Sequence, residues 1–106
     1  MTDIRTLNDN FRKTLTGGHV LCTASINAKS SEDVVNIMSL VQNYNEFTRD
    51  NDPYGEHDFG SFVYKGDKIF WKIDYYDQLN MHFASENPAD VTKTTRVLTI
   101  MLAEDW

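Results

Sequence analysis

Apolar residues along this chain fall into several short periodic blocks separated by polar punctuation. In the first block Ile4, Leu7, Phe11 and Leu15 recur at three- and four-residue spacing, which predicts a helix from Thr2 or Asp3 to about Leu15. Either residue can cap its start, and "TGG" (Thr16–Gly18) is placed to end it. The run "HVLCTASI", His19 to Ile26, reads as a buried strand. A second helix is expected from about Ser31 to Tyr44, with Val34, Ile37, Met38, Val41 and Tyr44 or Asn45 as its apolar stripe. Ser30 and Asp33 have capping-box spacing at its start.

The clearest local signal is "SFVYKGDKIFWKIDYY", two β-rich runs about Gly66-Asp67. A two-residue turn at that pair sets Lys65 opposite Lys68 and Phe62 opposite Trp71. Alternation then puts Phe62, Tyr64, Ile69, Trp71, Ile73 and Tyr75 on a core face, and Val63, Phe70, Lys72, Asp74 and Tyr76 on the other. Asn87-Pro88 reads as a helix start, with a third helix to about Glu104 that turns Val91, Leu98, Met101 or Leu102, and Trp106 inward. The expected order is α-β-α-β-β-α: a single α+β domain over residues 1–106, with a three-stranded sheet covered by three helices.

The 106 residues suffice for one core without disulfides or metal. The lone Cys22 fits a reducing compartment, and no apolar run approaches the roughly 20 residues that span a bilayer, so a cytoplasmic location is expected. The net charge of −6 disfavours direct binding to nucleic acid or to an anionic membrane. Aromatic residues on the second hairpin face suggest base stacking, but charge opposes it; partner-protein contact or cover by a helix explains that face better.

Candidate chemistry concentrates in "DNDPYGEHDFG", Asp50 to Gly60. Asp52-Pro53-Tyr54-Gly55 has its residues in the places a type I turn requires. Glu56, His57 and Asp58 have no necessary turn role, so His57 between two carboxylates is a candidate acid–base group. It is equally suited to bind loop amides or to pair with Arg12, Lys13 or Arg49. Asp74 and Asp77, at the end of a core strand, are placed to face Glu56 and Asp58 across a cleft. The "TGG" order of helix, glycines, strand is wrong for a phosphate loop, and Cys22 reads as core. Three scattered histidines and one cysteine do not make a zinc site; the most the chain offers a hard cation is Glu56, Asp58, Asp74 or Asp77, without calcium-loop spacing. No cofactor or metal is expected.

The segments "LNDNFRKTLTGGHVLCTASI", "DNDPYGEHDFGSF", "IFWKIDYYD" and "TRVLTIMLAEDW" together resemble a bacterial family of unknown function, made of short single-domain proteins often encoded on plasmids and phages. The resemblance runs from Ile4 to Trp106 and is densest at Asp52, Gly55, Glu56, His57, Asp58, Gly60, Trp71, Asp74 and Tyr75. It implies no catalytic residue. It implies an interaction protein of a mobile element, such as an anti-CRISPR or anti-restriction inhibitor that binds a nucleic-acid-binding defence protein. The expected partner-binding residues are Glu46, Asp50, Asp52, Glu56, His57 and Asp58, an acidic stretch broken by one cation, Arg49. The alternative is a small hydrolase or nuclease-like enzyme using Glu56, His57, Asp58 and Asp74.

Overall fold

The computed structural model describes residues 3–106. Helix α1 spans Ile4–Thr14, and the Asp3 carboxylate accepts the Thr6 amide at 2.8 Å to cap it; the alternative cap Thr2 lies outside the described residues. Phe11 is its most deeply buried apolar residue, yet Asn8 and Arg12, polar and one position along from the stripe, are buried as completely. Leu15, rather than a glycine, takes the left-handed position that closes the helix, with φ 57°. Strand β1 is Gly18–Cys22, shorter than expected, because the chain turns at Thr23 into a one-turn helix α2, Ala24–Asn27. That turn delivers Ile26 to the core. Cys22 is a half-buried free thiol whose pKa is raised by burial.

Helix α3, Ser31–Gln42, is capped by Ser30 Oγ accepting the Asp33 amide at 3.1 Å, and buries Ile37 and Val41. The Asp33 carboxylate does not complete the box. It accepts instead from the Tyr64 hydroxyl and Lys65 Nζ across the fold.

Strands β2 (Phe59–Tyr64) and β3 (Asp67–Asp77) form the hairpin. Its loop is Lys65-Gly66, not Gly66-Asp67, so Phe62 pairs with Ile69 and Gly60 with Trp71. Both loop residues have positive φ, 48° and 88°. A tight hairpin of this hand needs that conformation twice and accepts glycine best at the second position. The slide is by two residues, so the side chains keep their faces and Ile69, Trp71 and Ile73 lie in the core.

The expected third helix is a strand. Residues Thr94–Leu102 form β4, followed by a short 3-10 turn at Ala103–Asp105, and Asn87-Pro88 opens a turn with the Asp90 amide bonded to Asn87 O at 2.9 Å. The sheet therefore has four strands in the order β1-β4-β3-β2, with β4 parallel to β1 and antiparallel to β3. As a central strand β4 is apolar on both sides, which blurs the two-residue alternation into a run that also suits a helix. Leu98 is core, as expected, but from a strand; Val91 and Trp106, expected inside, are exposed.

Helix residues Phe11, Ile26, Ile37 and Val41 pack with Ile69, Trp71, Ile73, Leu98 and Ile100, all from one face of the sheet. No helix among the described residues covers the opposite face, which carries Leu21, Val97, Thr99, Met101, Phe70, Lys72, Asp74 and Tyr76. No helix among the described residues is long and apolar enough to cross a membrane.

Candidate functional site

Two regions concentrate chemistry. The first is the polar corner where residues 52–58 meet α1. The expected turn forms, with the Gly55 amide bonded to Asp52 O at 3.1 Å. The Asp52 carboxylate then accepts the backbone amides of Glu56 (3.1 Å) and His57 (3.3 Å), so its side chain is only 7% exposed and faces into the corner. These bonds hold His57 at φ 55°, a region that side chains other than glycine seldom adopt.

The partner of His57 is none of the three cations the sequence suggests. Its Nδ1 lies 2.9 Å from Asp9 Oδ1, its Nε2 lies 3.7 Å from Asp52 Oδ2, and its ring stacks on Phe47 at 3.8 Å. Asp9 also accepts from Arg12 Nη2 at 3.0 Å. Arg12 in turn donates from Nη1 to the carbonyls of Val41, Gln42 and Tyr44, closing the C-terminus of α3 where carbonyls lack helical partners. Its guanidinium lies over the Trp71 and Phe47 rings. One carboxylate thus ties α1, α3 and the 52–58 loop together.

Asp58 belongs to a second chain of bonds. Arg96 Nε donates to Asn8 Oδ1 (2.8 Å), Asn8 Nδ2 donates to the Tyr75 hydroxyl (2.7 Å) and to Glu56 O (3.0 Å), and the Tyr75 hydroxyl donates to Asp58 Oδ2 (3.1 Å). Burial raises the Asp58 carboxyl above its ordinary range, and Asp52 and Asp74 push it the same way against the bond from Tyr75. Glu56 is raised by burial and by the charges of Asp58 and Asp52. Burial also raises the Tyr75 hydroxyl.

The sequence-derived set therefore divides. Asp52, Glu56, His57 and Asp58 come together in the corner, whereas Glu46 and Asp50 are exposed on the loop before it. Asp74 is on the uncovered face of the sheet, paired with Lys72 at 3.0 Å, and Asp77 caps its own loop through the Leu79 and Asn80 amides. Among the described residues no group of three His, Cys, Asp or Glu is arranged to hold a metal. The sequence offers Arg12 to the corner only as a direct partner of His57, which it reaches instead through Asp9; Asn8, Asp9 and Arg96 are not singled out there. The available signal was Asn8 and Arg12, four apart, each directly after an apolar stripe position.

The second region is the uncovered sheet face. A depression of about 660 Å³ runs over it, walled by Leu21, Lys72, Tyr76, Met81, Met101 and Trp106. Trp106 folds back from the end of β4 to meet Phe59 and Phe70 edge-on, with Lys72 Nζ over its ring at 5.6 Å. Leu21 is 54% exposed and Trp106 67%.

No curated protein matches the chain, and no solved structure does. A family model described as "Protein of unknown function (DUF3768)" matches residues 22–105, a span that includes the 52–58 loop and β2 to β4, and the chain belongs to that family.

Proposed function

We propose that this protein is a non-enzymatic interaction module that engages a protein partner through the uncovered face of its sheet. The observation that carries the reading is the one-sided cover of the sheet: its free face keeps Leu21, Met81 and Trp106 in solvent around a long depression. Exposed apolar side chains gathered around a depression, with the Lys72–Asp74 pair on the central strand β3 and Asp105 among them, are what contact surfaces retain. The corner supports the same conclusion from the other side. His57 Nδ1 is bonded to Asp9 and its ring is stacked on Phe47, so a structural role accounts for its position; its Nε2, 3.7 Å from Asp52 Oδ2, makes no hydrogen bond among the described residues. The enzyme alternative also asks Asp74 to join His57, and Asp74 is engaged with Lys72 on the opposite face.

The finer reading, a mobile-element inhibitor of a nucleic-acid-binding defence protein, rests on the family resemblance and the acidic balance. The exposed Glu46 and Asp50 suit a basic partner. The test is affinity capture from the native host with three baits: the parent, Leu21→Asp/Trp106→Ser, and Glu46→Gln/Glu56→Gln. The expected result is a stoichiometric protein partner lost with the sheet-face bait and retained, with slower association, by the carboxylate bait. A partner held equally by the sheet-face bait, or turnover of ester or phosphodiester substrates abolished by His57→Ala, would reject the reading.

A further inference from the structure

Arg96 is 4% exposed, and among the described residues no carboxylate lies within ion-pair distance of it. Arg12, the other deeply buried arginine, has Asp9. Arg96 is held by neutral groups: Nε donates to Asn8 Oδ1, Nη2 donates to Pro88 O, and the guanidinium lies over the Tyr75 ring at 5.2 Å. Nη1 has no hydrogen bond to any described residue. The nearest negative charge along the bonds is Asp58, reached only through Asn8 and Tyr75. A desolvated guanidinium without an anion is costly, and Arg96 is among the residues that line a cavity of about 170 Å³ between α1 and the segment leading into β4. Leu7, Phe11 and Val91 make the rest of that wall mostly apolar, with the polar groups of Thr16 and Thr94 beside them. The loop is pinned there by Thr94 Oγ1, which donates to Asn87 O at 2.9 Å.

We propose that this cavity binds a small alkyl carboxylate, its carboxylate on Arg96 and its alkyl group against Leu7, Phe11 and Val91. The planar fork of arginine matches a carboxylate. The volume admits roughly five or six water-sized groups, which limits the tail to a few carbons. The same chemistry occurs in a free short-chain acid and in the C-terminus of a chain ending in an apolar residue. The site is on the helix side of the sheet and does not depend on the uncovered face, so it stands or falls separately from the proposed function.

The test is an amide NMR titration of the full chain with isovalerate, with neutral isovaleramide, and with a tripeptide ending in leucine, free or amidated. Isovalerate is expected to give saturable shifts at Gly17, Val91, Thr94 and Arg96 at concentrations on the order of 10 mM or below, and isovaleramide none. A free-terminus peptide that binds more tightly than isovalerate identifies a chain end as the source; one that binds no better identifies a free acid. Arg96→Lys should weaken binding roughly tenfold. Val91→Glu, which leaves Arg96 in place, should block binding by supplying a carboxylate internally and should raise the thermal midpoint. Absence of saturable shifts with both acids, equal binding of the amide, or unchanged isovalerate binding in Val91→Glu would overturn the proposal.

Discussion

The corner around His57 and the free face of the sheet use polar and apolar groups in opposite ways. In the corner many charged or polar groups have a partner inside the protein: Asp52 holds two amides, Asp9 holds His57 and Arg12, and Asn8 links Arg96, Tyr75 and Glu56. On the free face Leu21, Met81 and Trp106 have side chains in solvent with no helix above them. Much of the dense acidic motif, which attracts a functional reading first, serves the fold: Asp52 holds its own loop, His57 bonds α1 through Asp9, and Asp58 accepts from Tyr75 on β3. The less conspicuous β-rich segments carry the uncovered face. Density of titratable residues is thus a poor guide to function where several of them already hold the fold together.

The sharpest way to break this contrast lies within one strand. Leu98 points into the core and its neighbour Thr99 onto the free face. Leu98→Ala should cost about 2–5 kcal/mol in chemical unfolding, and Thr99→Ala should stay within about 0.5 kcal/mol. Similar losses at both would mean that Thr99 is packed as tightly as Leu98. Next in size is Asn8→Ala, which leaves Arg96 Nε and the Glu56 carbonyl without their side-chain partner. We expect a loss of about 2–4 kcal/mol, read as a lower denaturant midpoint, and an unchanged midpoint would show the relay to be decorative.

His57→Ala removes the bond to Asp9 and the stack on Phe47, while alanine must still occupy the positive φ. A loss of about 1–3 kcal/mol is expected in thermal unfolding. A purely catalytic histidine would leave the midpoint where it was.

The smallest effect is a pH dependence. The Asp58 carboxyl is raised above its ordinary 3.8 in the folded chain, chiefly by burial. The folded state therefore keeps a proton that the unfolded chain has released, and stability from this group is complete below 3.8 and lost as pH rises through the raised value. Asp58→Asn keeps an acceptor for Tyr75 and removes the charge, so it should be neutral at low pH and slightly stabilising at pH 7. A destabilisation confined to neutral pH would reverse the assigned sign.

What was legible in the sequence was local. The stripes of α1 and α3, the Ser30 cap, the Asp52–Gly55 turn and the two faces of the hairpin follow from periods and turn chemistry within a few residues. The strand β4 was hidden because a central strand with apolar residues on both sides, Val97 and Met101 being buried by their neighbours even on the face without a helix, loses its alternation, and Asn87-Pro88 offered a helix start that the chain uses for a turn. The corner was legible only by half. The sequence singles out Asp52, Glu56, His57 and Asp58, but their partners Asn8 and Asp9 are some 48 residues away, and Arg96 is paired to α1 only through the fold.

The most direct test compares Asp52→Ala with Leu21→Ser in side-by-side thermal unfolding. Asp52→Ala orphans the amides of Glu56 and His57, whereas Leu21 is half in solvent on the free face. The account predicts a loss of about 1–3 kcal/mol for Asp52→Ala and a change within about 0.5 kcal/mol for Leu21→Ser. An intact midpoint for Asp52→Ala together with a large drop for Leu21→Ser would contradict it, and would return the acidic corner to the position of a surface held ready for function.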